Sequence, residues 1–492
     1  MNLNRTSTLP LFPDEVGLPT KRLLVGLPLV VSVVTVILLE QTLVLYVLLG
    51  SVAAVILGWF LYHFADRSVT KALFIILLVT ISLQQNYLGF PLDPTRVSRF
   101  LLFLYIIKLL LGGELKWEKA ALNGAVLLLL FVFLTSTLVA DQIEASFGFL
   151  KRYLYMGILY FVVIHILKER SFTVKALKAY AVLVFLSALY GIWQFSGFFG
   201  RAVANVVNEA AFGLPRARGL YVDANLCGAY LGSGFPLAVG FFLGARGKKE
   251  KALWVVAAVV ILGGLLFTVS RSAMLGLASA VIILCIYSKA IRRGYLKAAA
   301  RSLYILVPLA LLFGREFYLF YVGMRNLFLK SLSVYAHMYT ELHLWMYKTA
   351  LKIFLHNPVL GVGLGNFHNN LREYMEPHPV VNRMWWWATA RDIRVSVHSS
   401  WLDLLSDAGI MGMMAYLLVL AIVFRYFHLA NRRFLTSDLQ LFYVSTALMG
   451  GMIALCFGGL FYSYLMTPMH WFFLGTSYVM FSLATRKGEK EK

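Results

Sequence analysis

His398 and the two serines after it, Ser399 and Ser400, stand where a long polar segment gives way to an apolar run. A histidine in that place can exchange protons with water near neutral pH, since its unperturbed pKa is about 6.5. It can also reach a substrate anchored in lipid. Two arginine sites lie earlier in the chain: Arg216, with Arg218, Asp223 and Asn225, in PRARGLYVDANLCG, and Arg271 in FTVSRSAML. Arginine suits a diphosphate because its planar fork makes bidentate, charge-assisted bonds to phosphate oxygens. Two arginines and a histidine on one side of a membrane are the groups needed for a hydroxyl to attack a sugar whose leaving group is a diphosphate.

Each of these residues also has a plainer reading. His398 alone reads as an interfacial histidine that caps a helix. The arginines read as ion-pair partners of Asp223, Asp403 or Asp407, or as side chains snorkelling to headgroups. An arginine between two apolar helices is costly unless it pairs or faces water, which keeps it a functional candidate. Asp403 and Asp407 lie four apart on one helical face. They are expected to orient His398 or to pair with an outer arginine rather than to act as acid and base.

The elements that must position these groups follow from composition. The 492 residues are 60% hydrophobic and 14% charged, with a mean hydropathy of +0.75. That is too apolar for a soluble fold of this length, and many runs have the ~20 residues needed to cross a bilayer. About fourteen spans are expected, at roughly 23–39, 42–64, 72–89, 98–112, 121–139, 150–167, 176–198, 225–244, 252–269, 272–290, 302–314, 401–426, 440–462 and 469–485. The net charge of +22 does not point to nucleic acid. Its lysines and arginines sit in short clusters between apolar runs, such as Arg246 to Lys251, Lys289 to Arg301 and Arg425 to Arg433. These clusters fall in every second connection, which places both termini in the cytoplasm and Arg216, Arg271 and His398 outside.

One outer connection, from about Arg315 to Ser400, is too long for a passive turn. Its stretch TELHLWMYKTALKIFL, 340–355, has apolar residues at helical spacing, which predicts an amphipathic helix resting on the membrane face. Trp385, Trp386 and Trp387 follow a bend at Pro377 and Pro379. They suit a headgroup anchor or a platform for the CH faces of sugar rings. Cys227, Cys285 and Cys456 each lie in an apolar run, with no disulfide framework or metal-ligand spacing. Gly361, Gly363 and Gly365 do not make a nucleotide loop, because no strand precedes them and no Gly-Lys-Ser/Thr follows. The first apolar run, 23–39, passes straight into another span without a small-residue cleavage site, so no cleavable signal is expected.

Four short elements carry a family resemblance. His398-Ser399, nine residues, Gly409, two residues and Gly412 resemble the H-[NSQ]-x9-G-x-x-G pattern of bacterial O-antigen ligases. Arg271 to Leu275 is similar to their R-x3-L element, and Pro215-Arg216 through Gly219 and Asn225 to their loop arginine followed by a glycine and an asparagine. NPVLGVGLGNF, 357–367, looks like the Pro- and Gly-rich turn before the histidine. Each element is short; their order, spacing and common side make the match. The chain thus resembles the O-antigen ligase and O-antigen polymerase superfamily, inner-membrane glycosyltransferases of lipopolysaccharide biosynthesis, mainly from Arg216 to Gly412.

The resemblance implies an all-α polytopic membrane protein of GT-C-like fold: spans over 1–314, a long periplasmic loop over 315–400 and further spans over 401–492. It implies an inverting, metal-independent transferase without a nucleotide sugar or cofactor. The donor would be an oligosaccharide on undecaprenyl or another polyprenyl diphosphate, and the acceptor a second lipid-linked glycan or a lipid A core sugar. A chain-length regulator is a further partner such an enzyme could take. Arg216 and Arg271 would hold the diphosphate, with Arg218 as substitute for Arg216. His398 would activate or orient the acceptor hydroxyl, and Asn225, Ser399, Asp403 and Trp386 would bind substrate. About fourteen spans exceed the number typical of ligases and favour a polymerase. A lipid or polysaccharide transporter is the rival from another class. It predicts internal repeats and ionisable residues near the midplane, whereas the candidates here gather at the outer face.

Overall fold

A computed structural model describes residues 67–83, 94–111, 120–196, 207–209, 214–312, 334–375 and 395–490. The first two expected spans, 23–39 and 42–64, and the tryptophans at 385–387 lie outside the described residues. The helices are α1 (Arg67–Ser82), α2 (Pro94–Leu111), α3 (Ala121–Leu138), α4 (Ile143–Ile166), α5 (Arg170–Ser196), α6 (Ala224–Gly244), α7 (Lys248–Thr268), α8 (Arg271–Tyr287), α9 (Lys289–Leu312), α10 (Val334–His356), α11 (Phe367–Tyr374), α12 (Ser400–Ser437), α13 (Leu439–Gly458) and α14 (Pro468–Lys490). Seven of them, α3 to α7 with α12 and α13, are long and apolar enough to cross a membrane, and α8 is a shorter apolar helix. The chain is a helical, multi-pass membrane protein. One small departure from an all-helical fold is an antiparallel ribbon of β1 (Val207–Glu209) and β2 (Leu214–Arg216). Pro215 disfavours a helix there, and strand pairing satisfies the backbone instead.

The chain divides into two compact units, 1–76 with 103–117 and 77–102 with 118–492. Within the first, Tyr105 Oη donates to the Thr70 carbonyl at 2.7 Å and Lys108 Nζ to Thr70 Oγ1 at 2.6 Å. The candidate residues all belong to the second. Its centre is the pair α6 and α13, whose spanning windows are 83% and 89% buried. Small residues let these backbones approach: Gly240 of α6 lies against Ala447 and the Tyr443 carbonyl of α13, as is common where helices pack in lipid. At one end of this unit, ion pairs join Arg170 to Asp438 (2.7 Å) and Lys178 to Glu250 (2.6 Å). The candidate residues collect at the other end.

Two features shape that end. The first is a break in α12 at Gly409, where φ 63° and ψ −161° put the backbone in a region open essentially to glycine alone. The break frees the carbonyls of Ser406 and Asp407 and the N–H groups of Ile410 and Met411. The turn after α10 takes up all four. Val362 N and Gly363 N donate to Ser406 and Asp407 at 3.0 Å each, while Ile410 N and Met411 N donate to Pro358 (2.8 Å) and Val359 (3.2 Å). Irregular backbone near lipid survives only where protein satisfies it in this way. The glycines of 361–365 therefore serve close docking: Gly361 has φ 67°, and a Cβ there would strike the carbonyls of Ser406 and Asp407.

The second feature is a small core in the long segment between α9 and α12. Trp345, Met346, Ala350 and Ile353 of α10 pack with Val362, Phe367, Leu371 and Val397. Leu344, Leu351 and Leu355 on the other side are exposed. The amphipathic helix expected at 340–355 is thus part of a longer one with two apolar faces, only one of which is free to meet a membrane. Its buried face ties α10 and α11 to the irregular segment, 395–397, that leads into His398.

Candidate active site

Ser399 is the N-cap of α12, its Oγ accepting from Leu402 N at 3.4 Å. The residues flanking His398 are held on both sides. Val397 N donates to Asp403 Oδ1 at 3.3 Å. Ser400 N donates to the Gly459 carbonyl at 2.8 Å, Ser400 Oγ donates to the Tyr462 carbonyl at 3.1 Å, and Tyr464 N donates to Ser400 Oγ at 2.7 Å. Between these anchors His398 adopts φ 58°, a left-handed conformation uncommon for a residue with a side chain. Such strain persists only where the surroundings over-determine it, and it clusters at functional sites.

The His398 ring lies against His343 of α10 (centroids 5.3 Å apart) and Tyr462 (5.4 Å). Burial, helped by His343 and opposed by Asp223, pushes its pKa down to about 4. The imidazole is therefore neutral at physiological pH and has a nitrogen free to accept a proton. Tyr347 Oη reaches the His398 carbonyl at 3.4 Å.

Arg216, at the end of β2, donates from Nε to the Thr268 carbonyl (2.9 Å) and from its terminal nitrogen to Asn225 Oδ1 (2.6 Å). Asn225 Oδ1 also accepts from Ser270 Oγ at 3.0 Å. Ser270 and Ser272 hydroxyls meet at 3.2 Å, and Ser272 meets Tyr464 Oη at 2.9 Å. Arg271 heads α8 inside this chain of bonds; its side chain is exposed and unpaired among the described residues. Asp223 caps α6 by accepting from Asn225 N (2.8 Å) and Leu226 N (3.1 Å).

The structure thus brings Arg216, Asn225, Arg271, His398, Ser399 and Asp403 to one place from three separate stretches of sequence. Arg218 sits beside them with its backbone N on Gln194 Oε1 (3.2 Å) and its buried Nε without a hydrogen-bond acceptor. Trp386 lies outside the described residues. The carboxylates expected to bind the arginines are occupied otherwise: Asp403 by Val397 N and the Ser463 hydroxyl, Asp407 by Gly365 N at 2.7 Å, and Asp223 by its own helix.

Sequence reasoning missed Tyr462, Ser463 and Tyr464, which follow α13, and also His343, Tyr347, Ser270 and Ser272. The signal for the first three was the run of consecutive hydroxyl-bearing residues in FYSYL, 461–465, at the end of an otherwise apolar run.

Residues 256–417 match the model of a family described as O-antigen ligase. The matched stretch holds Arg271, the 357–367 turn, His398 and Gly409; Arg216 and Asn225 precede it, and Tyr462 to Tyr464 follow it. The match supports the resemblance to the O-antigen ligase and polymerase superfamily. Among curated proteins none matches the chain.

Proposed function

We propose that this O-antigen ligase-like membrane protein transfers a glycan from a polyprenyl diphosphate to an acceptor sugar hydroxyl, as an O-antigen or polysaccharide polymerase. The observation that carries this reading is the unbroken set of hydrogen bonds from Arg216 through Asn225, Ser270, Ser272 and Tyr464 to Ser400, two residues from a neutral histidine. The acceptor oxygen forms a bond to C1 of the donor sugar as the bond from C1 to the diphosphate oxygen breaks. Its electron pair leaves with the diphosphate, and Arg216 and Arg271 neutralise the charge that develops, a task worth several kcal/mol where water is sparse. The acceptor's proton passes to His398. Attack opposite the leaving group inverts the anomeric carbon in a GT-C-like active site.

The deciding experiment incubates purified protein with undecaprenyl-diphosphate-linked oligosaccharide, with and without a lipid A core acceptor. Longer chains on the original lipid identify a polymerase. Transfer to core identifies a ligase, and no transfer of any kind removes the reading.

In the same proposal the chain sits in the bacterial inner membrane with both termini in the cytoplasm and the site in the periplasm. With the three native cysteines replaced, Glu373→Cys on the exposed side of α11 should react with an impermeant thiol reagent in intact cells, and Lys249→Cys should not. Labelling of Lys249→Cys alone would reverse the orientation.

A further inference from the structure

Three consecutive residues after α13 each reach a different part of the candidate site. Tyr462 packs its ring on His398, with centroids 5.4 Å apart, and its carbonyl accepts from Ser400 Oγ. Ser463 donates to Asp403, whose other oxygen holds Val397 N beside His398. Tyr464, 1% exposed, bonds through its hydroxyl to Ser272 (2.9 Å) and through its backbone N to Ser400 Oγ (2.7 Å). Ser272 adjoins Arg271, and Ser400 is two residues from His398.

These contacts are more than the turn needs in order to close. Leu460 N on Phe457, Phe461 N on Gly458 and Thr467 N on Tyr464 close the turn locally, while Tyr464 N and the Gly459 and Tyr462 carbonyls are left to bond Ser400. The Tyr464 and Ser463 side chains point outward to α8 and α12, which makes the turn the meeting point of the arginine-bearing and histidine-bearing segments. It also lies beyond the stretch that matches the family model.

We propose that Tyr464 is a positioning residue for glycan transfer, fixing the first turn of α8, and with it Arg271, against the first turn of α12, and with it His398. The proposal rests on the transferase reading above. Diphosphate departure and deprotonation of the acceptor must occur in one geometry, and a misplacement of about 1 Å is enough to lose much of the rate. Tyr464 touches neither reacting partner; it acts through Ser272 and Ser400.

The test is a double-mutant cycle on Tyr464→Phe, Ser272→Ala and the double variant, in full-length purified protein checked for monodispersity. Donor binding is measured with undecaprenyl-diphosphate-linked oligosaccharide, and transfer by single turnover. Tyr464→Phe keeps the ring and its packing and removes one hydrogen bond, a change worth about tenfold in rate. The expected result is a roughly tenfold fall in kcat with KM for the donor within about twofold. Ser272→Ala, which also loses its bond to Ser270, should lower kcat at least as much, and the double variant should be no slower than Ser272→Ala, because Tyr464→Phe removes a bond that is already gone there. Unchanged kcat in folded Tyr464→Phe would overturn the proposal, and so would losses that multiply in the double variant. A fall in donor affinity matching the fall in rate would also overturn it, by making Tyr464 part of the binding site. Absence of transfer by the wild-type protein would instead remove the transferase reading, so the two failures are distinct.

Discussion

His398→Ala is expected to abolish glycan transfer in a single-turnover assay while leaving the protein monodisperse and donor binding nearly intact. In the proposed reaction the neutral imidazole, half-buried against His343 and Tyr462, takes the acceptor's proton. His398→Gln separates two roles, since glutamine keeps hydrogen bonding but cannot serve as a base. An active glutamine variant would reduce His398 to an orienting group and leave arginine-assisted departure to carry the catalysis. His398→Gly adds an independent check. It relieves the left-handed backbone, so it should fold at least as well as the wild type and still be inactive. A destabilised glycine variant would mark His398 as structural.

The pH dependence has a definite sign. Only neutral imidazole accepts a proton, so transfer should hold across the neutral range and fall as pH drops through about 4. Stability follows the same direction. The folded pKa lies below the unfolded value of about 6.5, so the contribution is complete above that value and is lost as pH falls toward 4. Removing the second imidazole with His343→Leu should move the acid limb of the rate upward. An unmoved limb would mean that another group governs it.

Arg271→Ala should cost roughly a hundredfold in rate, on the order of 3 kcal/mol, with little change in thermal stability. Its side chain is exposed and unpaired among the described residues, so truncation removes nothing that the fold uses. Arg271→Lys should recover part of the loss, since lysine brings the charge without the fork. Arg216 should behave differently. Its guanidinium already holds the Thr268 carbonyl and Asn225, so Arg216→Ala should lose both rate and stability, and lysine should rescue neither well. Wild-type turnover by folded Arg271→Ala would assign that arginine to structure. If Arg218→Ala is inactive and Arg216→Ala is not, the diphosphate arginine is the one with the unsatisfied Nε.

Much of this arrangement was legible from single segments. Spans bounded by charges or turn residues came out within a few residues, as at 121–139 against Ala121–Leu138 and 225–244 against Ala224–Gly244. Elsewhere boundaries moved. The basic cluster from Lys289 to Arg301 is the first half of α9 rather than a loop before it, because buried Ile291, Gly294 and Ala298 give it a helical stripe. Arg216, Arg271 and His398 stood out because charge beside apolar helices is conspicuous. Tyr462 and Tyr464 did not, because a tyrosine at the end of a span reads as an ordinary interfacial residue, and only contacts distant in sequence give these two a task. For the same reason Asp403 was legible as a residue near the histidine, while its bond to Val397 N was not.

The break at Gly409 has a consequence for the spacing itself. Gly409 is docked on Val359 and the start of α12 is docked on Gly459 and Tyr464, so the nine residues from Ser400 to Ala408 form a rigid spacer between two fixed stations. Their identities are open to change wherever a side chain faces outward. Their number is not. Adding or removing one residue turns the far end of the spacer by about 100° and shifts it by about 1.5 Å. Ser400 would then face away from its partners and take His398 with it. A one-residue deletion in this stretch should therefore do more harm than a substitution at any outward-facing position within it, and the interval measures helical phase rather than chemistry.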